Sequence, residues 1–250
     1  MFNIKNLSLA TLALVTIAPV ASAANYAVFL HGRSEAVWNG GKTVPAGYAF
    51  VDAATDWDGK GSITNIQYTR YASLCKAPNK CVVYNYSTGG LITQRMQLLD
   101  AAANPVYINS FASAGGGSGL ASACGWVTQW GCYYGGVDDN LKPSWARNGG
   151  NSLQYTRGTS SWHVAGNGLS WLGAATAAVV DGDDDGATGP DSNTGCDRAG
   201  NYYLPTDCKT TRGTFWNGNN GGVRKSGHRQ WVTGGWTHFN ITPMQSTYWY

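Results

Sequence analysis

Charge is scarce in this chain. Only 12% of its 250 residues are Asp, Glu, Lys or Arg, and no Lys/Arg cluster forms a stripe, so nothing points to nucleic acid as a partner. The chain also lacks a CxxC pair and a His-rich partner motif, which makes zinc the weaker reading of its cysteines. After the first 23 residues no segment is apolar for long enough to cross a bilayer. No internal repeat is present, and no linker splits the sequence.

Those first 23 residues read as a secretory signal. Lys5 supplies the positive start, "LSLATLALVTIAPV" is a short apolar core, and Ala21-Ser22-Ala23 is a small-residue cleavage site. A membrane anchor would need a longer core. Cleavage leaves 227 residues from Ala24, enough for one domain with a sizeable core, and lowers the net charge from +3 to +2. A secreted protein, extracellular or periplasmic, is the expectation.

Glycine and aromatics are plentiful: 34 Gly, 11 Trp and 14 Tyr describe a loop-rich, aromatic-rich chain. Six cysteines fall in close pairs, Cys75 with Cys81, Cys124 with Cys132 and Cys196 with Cys208. An even count in an oxidising compartment predicts three local disulfides. Each short loop would contribute about 2–3 kcal/mol in the chain-entropy model.

Hydrophobic patterning alternates along the first half. "NYAVFLHG" (25–32) reads as a strand ending in His-Gly, and "AGYAFVDAATDW" (46–57) as a second strand with its loop. "SITNIQYTRYASLC" (62–75) has near-helical spacing. "CVVYNY" is a buried-type strand, "GLITQRMQLL" a helix and "PVYINSF" (105–111) a third clear strand. This predicts an α/β fold, a mostly parallel sheet with helices on both faces. From 112 to 162 the pattern dissolves into Gly, Ser and Trp. An apolar run at 169–180 leads into the acidic "DGDDDGATGPD", and the tail from 196 shows no clear period.

One junction carries chemistry. In Asn85-Tyr86-Ser87-Thr88-Gly89-Gly90 a strand stops and a helix begins. A Ser on such a turn, at the carboxyl end of a parallel strand, exposes its hydroxyl beside the helix N-terminus and its backbone N–H groups. The pattern is the nucleophile elbow G-x-S-x-G with Asn85 in place of the first Gly. Asn tolerates unusual backbone angles, so the turn remains available. The plain alternative is an ordinary polar turn.

Several segments together resemble the α/β-hydrolases, and bacterial lipases and esterases in particular. "VFLHG" resembles their strand and oxyanion loop, and "VVYNYSTGGLITQRMQ" their strand–elbow–helix. "VYINSFASAGGGSGLA" resembles the next strand and loop, without the usual His and Pro. "DGDDDGATGPDS" sits where the acid loop belongs, and "GGWTHFNI" resembles the late His segment. The resemblance implies a triad in the order Ser, acid, His. It implies Ser87 as nucleophile, an Asp near Asp185 as the acid and His238 as the base. His228 is the alternative base; its bland reading is a solvated residue beside Arg224, Lys225 and Arg229. His163 precedes the acid cluster, the wrong order, and His31 belongs to the oxyanion loop. Asp185 precedes Gly186 as the family loop does, with Asp183 and Asp184 as substitutes. The oxyanion hole would use the backbone N–H groups of Thr88 and of Gly32 or Arg33.

The acidic run has a rival reading. Asp181, Asp183, Asp185 and Gly186 match the start of a D-x-D-x-D-G calcium loop, but Ser192 stands where the bidentate Glu should be. A less regular structural calcium site on Asp181, Asp183, Asp191 or Asp197 is the remaining metal expectation; the chemistry itself requires no cofactor. "ACGWVTQWGCYYGG" (123–136) could form a lid or acyl-binding wall with its aromatics, or simply bury them.

The expected function is thus a secreted serine hydrolase of carboxylic esters acting on lipids or other acyl esters. A polyester depolymerase or a phospholipase would use the same triad. From another class, an aromatic-rich carbohydrate-binding module would also suit the composition, but it would show regularly alternating strands.

Overall fold

A computed structural model of the chain describes residues 22–33, 43–52, 59–63, 65–118, 120–121, 136–147, 159–166, 188, 221–223, 228–233 and 238. Among these are seven strands: β1 (Asn25–Leu30), β2 (Ala49–Asp52), β3 (Lys80–Tyr86), β4 (Tyr107–Phe111), β5 (Ser160–Gly166), β6 (Gly221–Val223) and β7 (His228–Thr233). They form one sheet in the order β2-β1-β3-β4-β5-β7-β6. Every pairing is parallel except β6 with β7.

The central strands are apolar because both of their faces are covered. In β3, Cys81 and Val83 join Leu91 and Met96 in one core cluster, while Val82, Tyr84 and Tyr86 join Phe29 and Phe111 in the other. Burying such a side chain contributes roughly 1.5–3 kcal/mol. The helices α1 (Asn65–Leu74), α2 (Thr88–Leu99), α3 (Gly136–Leu141) and α4 (Pro143–Arg147) contribute Tyr71, Leu91, Val137 and Ala146 to the first cluster, so all four flank one face. Val44 and Tyr48 pack against the second cluster; any helix covering that face lies outside the described residues. A carbohydrate-binding sandwich would need alternating antiparallel strands, and this mostly parallel sheet is not one.

Cys75 and Cys81 form a disulfide that ties the end of α1 to the start of β3. Cys124, Cys132, Cys196 and Cys208, expected to form two more, lie outside the described residues. So do residues 1–21, the predicted signal. No helix among the described residues is long and apolar enough to cross a membrane.

The structure departs from the expected pattern in three places. The second strand is shorter, four residues at the sheet edge. The featureless stretch 112–162 holds α3, α4 and the start of β5. His228 opens β7 as a ladder residue rather than sitting in a solvated loop.

Candidate active site

Two strands deliver the site at their carboxyl ends. β1 ends at Leu30 and hands the chain to His31, Gly32 and Arg33. β3 ends at Tyr86, and Ser87 turns the chain directly into α2. Ser87 has φ 53° and ψ −121°, a region that costs a non-glycine residue about 1–3 kcal/mol. Its side chain makes no capping bond to α2, although Ser is a favoured cap. The hydroxyl is turned elsewhere: Ser87 Oγ lies 2.9 Å from His238 Nε2.

The strained residue is fixed on both sides. Ser87 N–H donates to the Phe111 carbonyl at 3.1 Å, and the Ser87 carbonyl accepts from Ala114 N–H at 2.8 Å and Gly90 N–H at 3.0 Å. Close approach needs small neighbours. A Cβ on Gly32 would stand 2.9 Å from Ser87 Cβ, and one on Gly89 would collide with the Leu30 carbonyl. Ser87 and His238 are 7% and 5% exposed, so the pair is screened from bulk water yet reachable.

Asn85 does not take the strained turn, as the sequence had suggested. It is a regular ladder residue of β3 between Leu30 and Ser110. Its Nδ2 donates to Thr93 Oγ1 on α2 at 3.0 Å, and Gly90, lacking a Cβ, leaves room for its Oδ1. The positive φ belongs to Ser87 itself.

The two late histidines are far apart in the fold. Register aligns Val83, Ile108, Ser161 and His228 in one row. His228 therefore lies four residues short of Ser87 along the strands and three strands away, roughly 13 Å by 14 Å at ordinary strand spacings. His163 is buried inside β5 in register with Ser110. His238 is the histidine beside Ser87.

Sequence reasoning missed Tyr86. Its hydroxyl donates to the His238 carbonyl at 2.8 Å, and its ring centroid lies 5.2 Å from the imidazole centroid. A Tyr in x of the elbow motif reads only as strand, so no local signal marked it. The loop after β1 is also anchored. His31 Nδ1–H donates to the Gly32 carbonyl at 2.7 Å, and in a trans peptide the following Arg33 N–H faces the opposite way. The Arg33 guanidinium forms a two-pronged ion pair with Asp138 of α3, Nε to Oδ1 at 2.5 Å and Nη2 to Oδ2 at 3.0 Å. Thr88, as the first residue of α2, sits where backbone N–H groups lack intrahelical acceptors.

Asp185, with Asp183 and Asp184, lies outside the described residues, as do the calcium candidates Asp181, Asp191 and Asp197 and most of the aromatic loop 123–136. From the acid loop Thr188 is described, and it is buried.

The mature lipase BlEst2 of Bacillus licheniformis superposes with a TM-score of 0.56 at 16% identity, covering 92% of each chain. The fold is of the α/β-hydrolase kind. A metagenomic carboxyl esterase matches 69% of this chain and 62% of its own, at TM-score 0.45 and 16% identity. Phospholipase PlaB of Legionella pneumophila matches 69% of this chain and 46% of its own, at 0.48 and 14%. No protein-family model matches the chain, and no curated protein does.

Proposed function

We propose that this α/β-hydrolase-like protein is an exported serine hydrolase of carboxylic esters. The observation that carries the reading is the 2.9 Å contact of Ser87 Oγ with His238 Nε2, made by a serine in a strained strand-to-helix turn. A nucleophile and its base must stand within hydrogen-bond reach.

In this reading the Ser87 hydroxyl passes its proton to His238 Nε2 as Oγ bonds to the ester carbonyl carbon. The carbonyl oxygen becomes an oxyanion facing the N–H groups of Thr88 and of Gly32 or Arg33. Collapse breaks the bond to the alkoxy leaving group, which takes the proton from His238. Water then attacks the acyl-Ser87 ester by the same route and frees the acid. Asp185, or Asp183 or Asp184, holds the imidazole from its far side. No cofactor enters any step; calcium on the acidic loop would be structural.

Lipids and other acyl esters are the proposed substrates, and phospholipids or polyesters would suit the same machinery. The Cys75–Cys81 disulfide accords with export, since such bonds persist in oxidising compartments.

Hydrolysis of short- and long-chain p-nitrophenyl esters by the mature protein, beside Ser87→Ala and His238→Ala, tests the reading. Turnover lost in both variants is expected, and the chain-length ratio sorts lipase from esterase. Turnover that survives Ser87→Ala would place the nucleophile elsewhere.

A further inference from the structure

We propose that Asp138 is a positioning residue that sets the spacing of the oxyanion hole, acting through Arg33. The inference rests on the ester-hydrolase reading above.

Asp138 is 3% exposed, and a carboxylate that deep must be paired. It is paired with the side chain of Arg33, in the loop whose backbone supplies one oxyanion donor. A planar guanidinium gripping both carboxylate oxygens fixes orientation as well as distance. The Arg33 backbone is thereby tied to α3, and α3 is bound to its surroundings by further hydrogen bonds. Val137 N–H donates to the Lys60 carbonyl at 3.1 Å, and Asn140 Oδ1 accepts from Ile63 N–H at 2.9 Å.

The last of these bonds leads back to the nucleophile. The Leu141 carbonyl accepts from Ser118 N–H at 2.7 Å, and Ser118 closes the loop after β4 in which Ala114 N–H binds the Ser87 carbonyl at 2.8 Å. One short helix therefore braces both halves of the hole. Asp138 holds the Arg33 side, and Leu141 holds the loop that fixes Ser87 and, next to it, Thr88. A donor displaced by a few tenths of an ångström stabilises the oxyanion less while leaving the ester's other contacts intact, so the effect belongs in kcat rather than KM.

The experiment compares wild type, Asp138→Asn, Arg33→Lys and Ser87→Ala on p-nitrophenyl butyrate, with thermal unfolding and inhibition by an aryl trifluoromethyl ketone, which adds to a serine and forms an oxyanion. Asp138→Asn is expected to lower kcat by about ten- to a hundredfold, below the full loss of one oxyanion donor, with KM changed less than about threefold. The ketone should weaken by a similar factor. Arg33→Lys, which keeps one charged contact, should lose less. A folded Asp138→Asn protein with kcat and ketone affinity within about twofold of wild type would overturn the inference, as would a change confined to KM or to the unfolding temperature. Loss of fold in both variants would make the pair purely structural and overturn it too. Wild-type turnover that is absent, or that persists in Ser87→Ala, would instead bring down the ester-hydrolase reading and this inference with it.

Discussion

The Tyr86 hydroxyl donates to the backbone carbonyl of His238 across 152 positions of sequence, at 2.8 Å. The residue before Ser87 therefore holds the backbone of the histidine that Ser87 touches. Tyr86→Phe keeps the ring contact and removes only the hydroxyl and its hydrogen bond, at a cost of about 0.5–1.5 kcal/mol. A lower unfolding temperature is expected, together with a kcat reduced about two- to tenfold if that cost falls on the transition state. Steady-state kinetics and a thermal melt measure both; a variant unchanged in each would show that the bond does not position the imidazole.

Gly32 lies against the same pair. A methyl group there would stand 2.9 Å from Ser87 Cβ and 3.1 Å from two carbons of the Tyr86 ring. Both neighbours are held, Ser87 by Phe111 and Ala114 and Tyr86 by His238, so relief must move Ser87 or the loop after β1. Gly32→Ala is expected to destabilise by about 1–3 kcal/mol, the usual range for overpacking, and to depress kcat more than KM is raised. Full activity in Gly32→Ala would mean that the loop yields without disturbing Ser87.

The first half of the fold was legible because its signals are local. "CVVYNY" is a continuous apolar run, "GLITQRMQLL" has a helical period, and both formed as expected. β5 and β7 were not, because Ser160, Ser161 and His163 in one and His228, Arg229 and Gln230 in the other interrupt any apolar run. Their strand state comes from pairing with β4 and with each other, which no window of sequence contains. The same holds at the site. Ser87 announces itself by its neighbours, whereas Tyr86, Asp138 and the choice of His238 over His228 depend on contacts spanning a hundred residues or more.

The Cys75–Cys81 disulfide joins α1 to β3 with a sequence separation of 6. It lies at the amino end of β3, whereas Ser87 follows the carboxyl end. Cys75→Ser with Cys81→Ser should cost about 2 kcal/mol through unfolded-chain entropy, lowering the melting temperature by about 4–8 °C for a domain of this size. Activity well below that temperature should stay close to wild type. A large loss of turnover in a folded variant would show that the bridge reaches the site after all.

The strain at Ser87 can be separated from its chemistry. Ser87→Ala and Ser87→Gly both remove the hydroxyl and its contact with His238, so both are expected to be inactive. They differ in backbone: alanine must still adopt φ 53° and ψ −121°, whereas glycine visits positive φ without a Cβ clash. Glycine ordinarily costs about 0.5–1 kcal/mol relative to alanine inside regular structure. At this position the order should invert, with Ser87→Gly more stable than Ser87→Ala by about 1 kcal/mol, at the low end of the strain expected for such a backbone. Denaturant unfolding of the two variants measures the difference directly. A Ser87→Ala protein as stable as Ser87→Gly, or more so, would mean that the turn stores no strain.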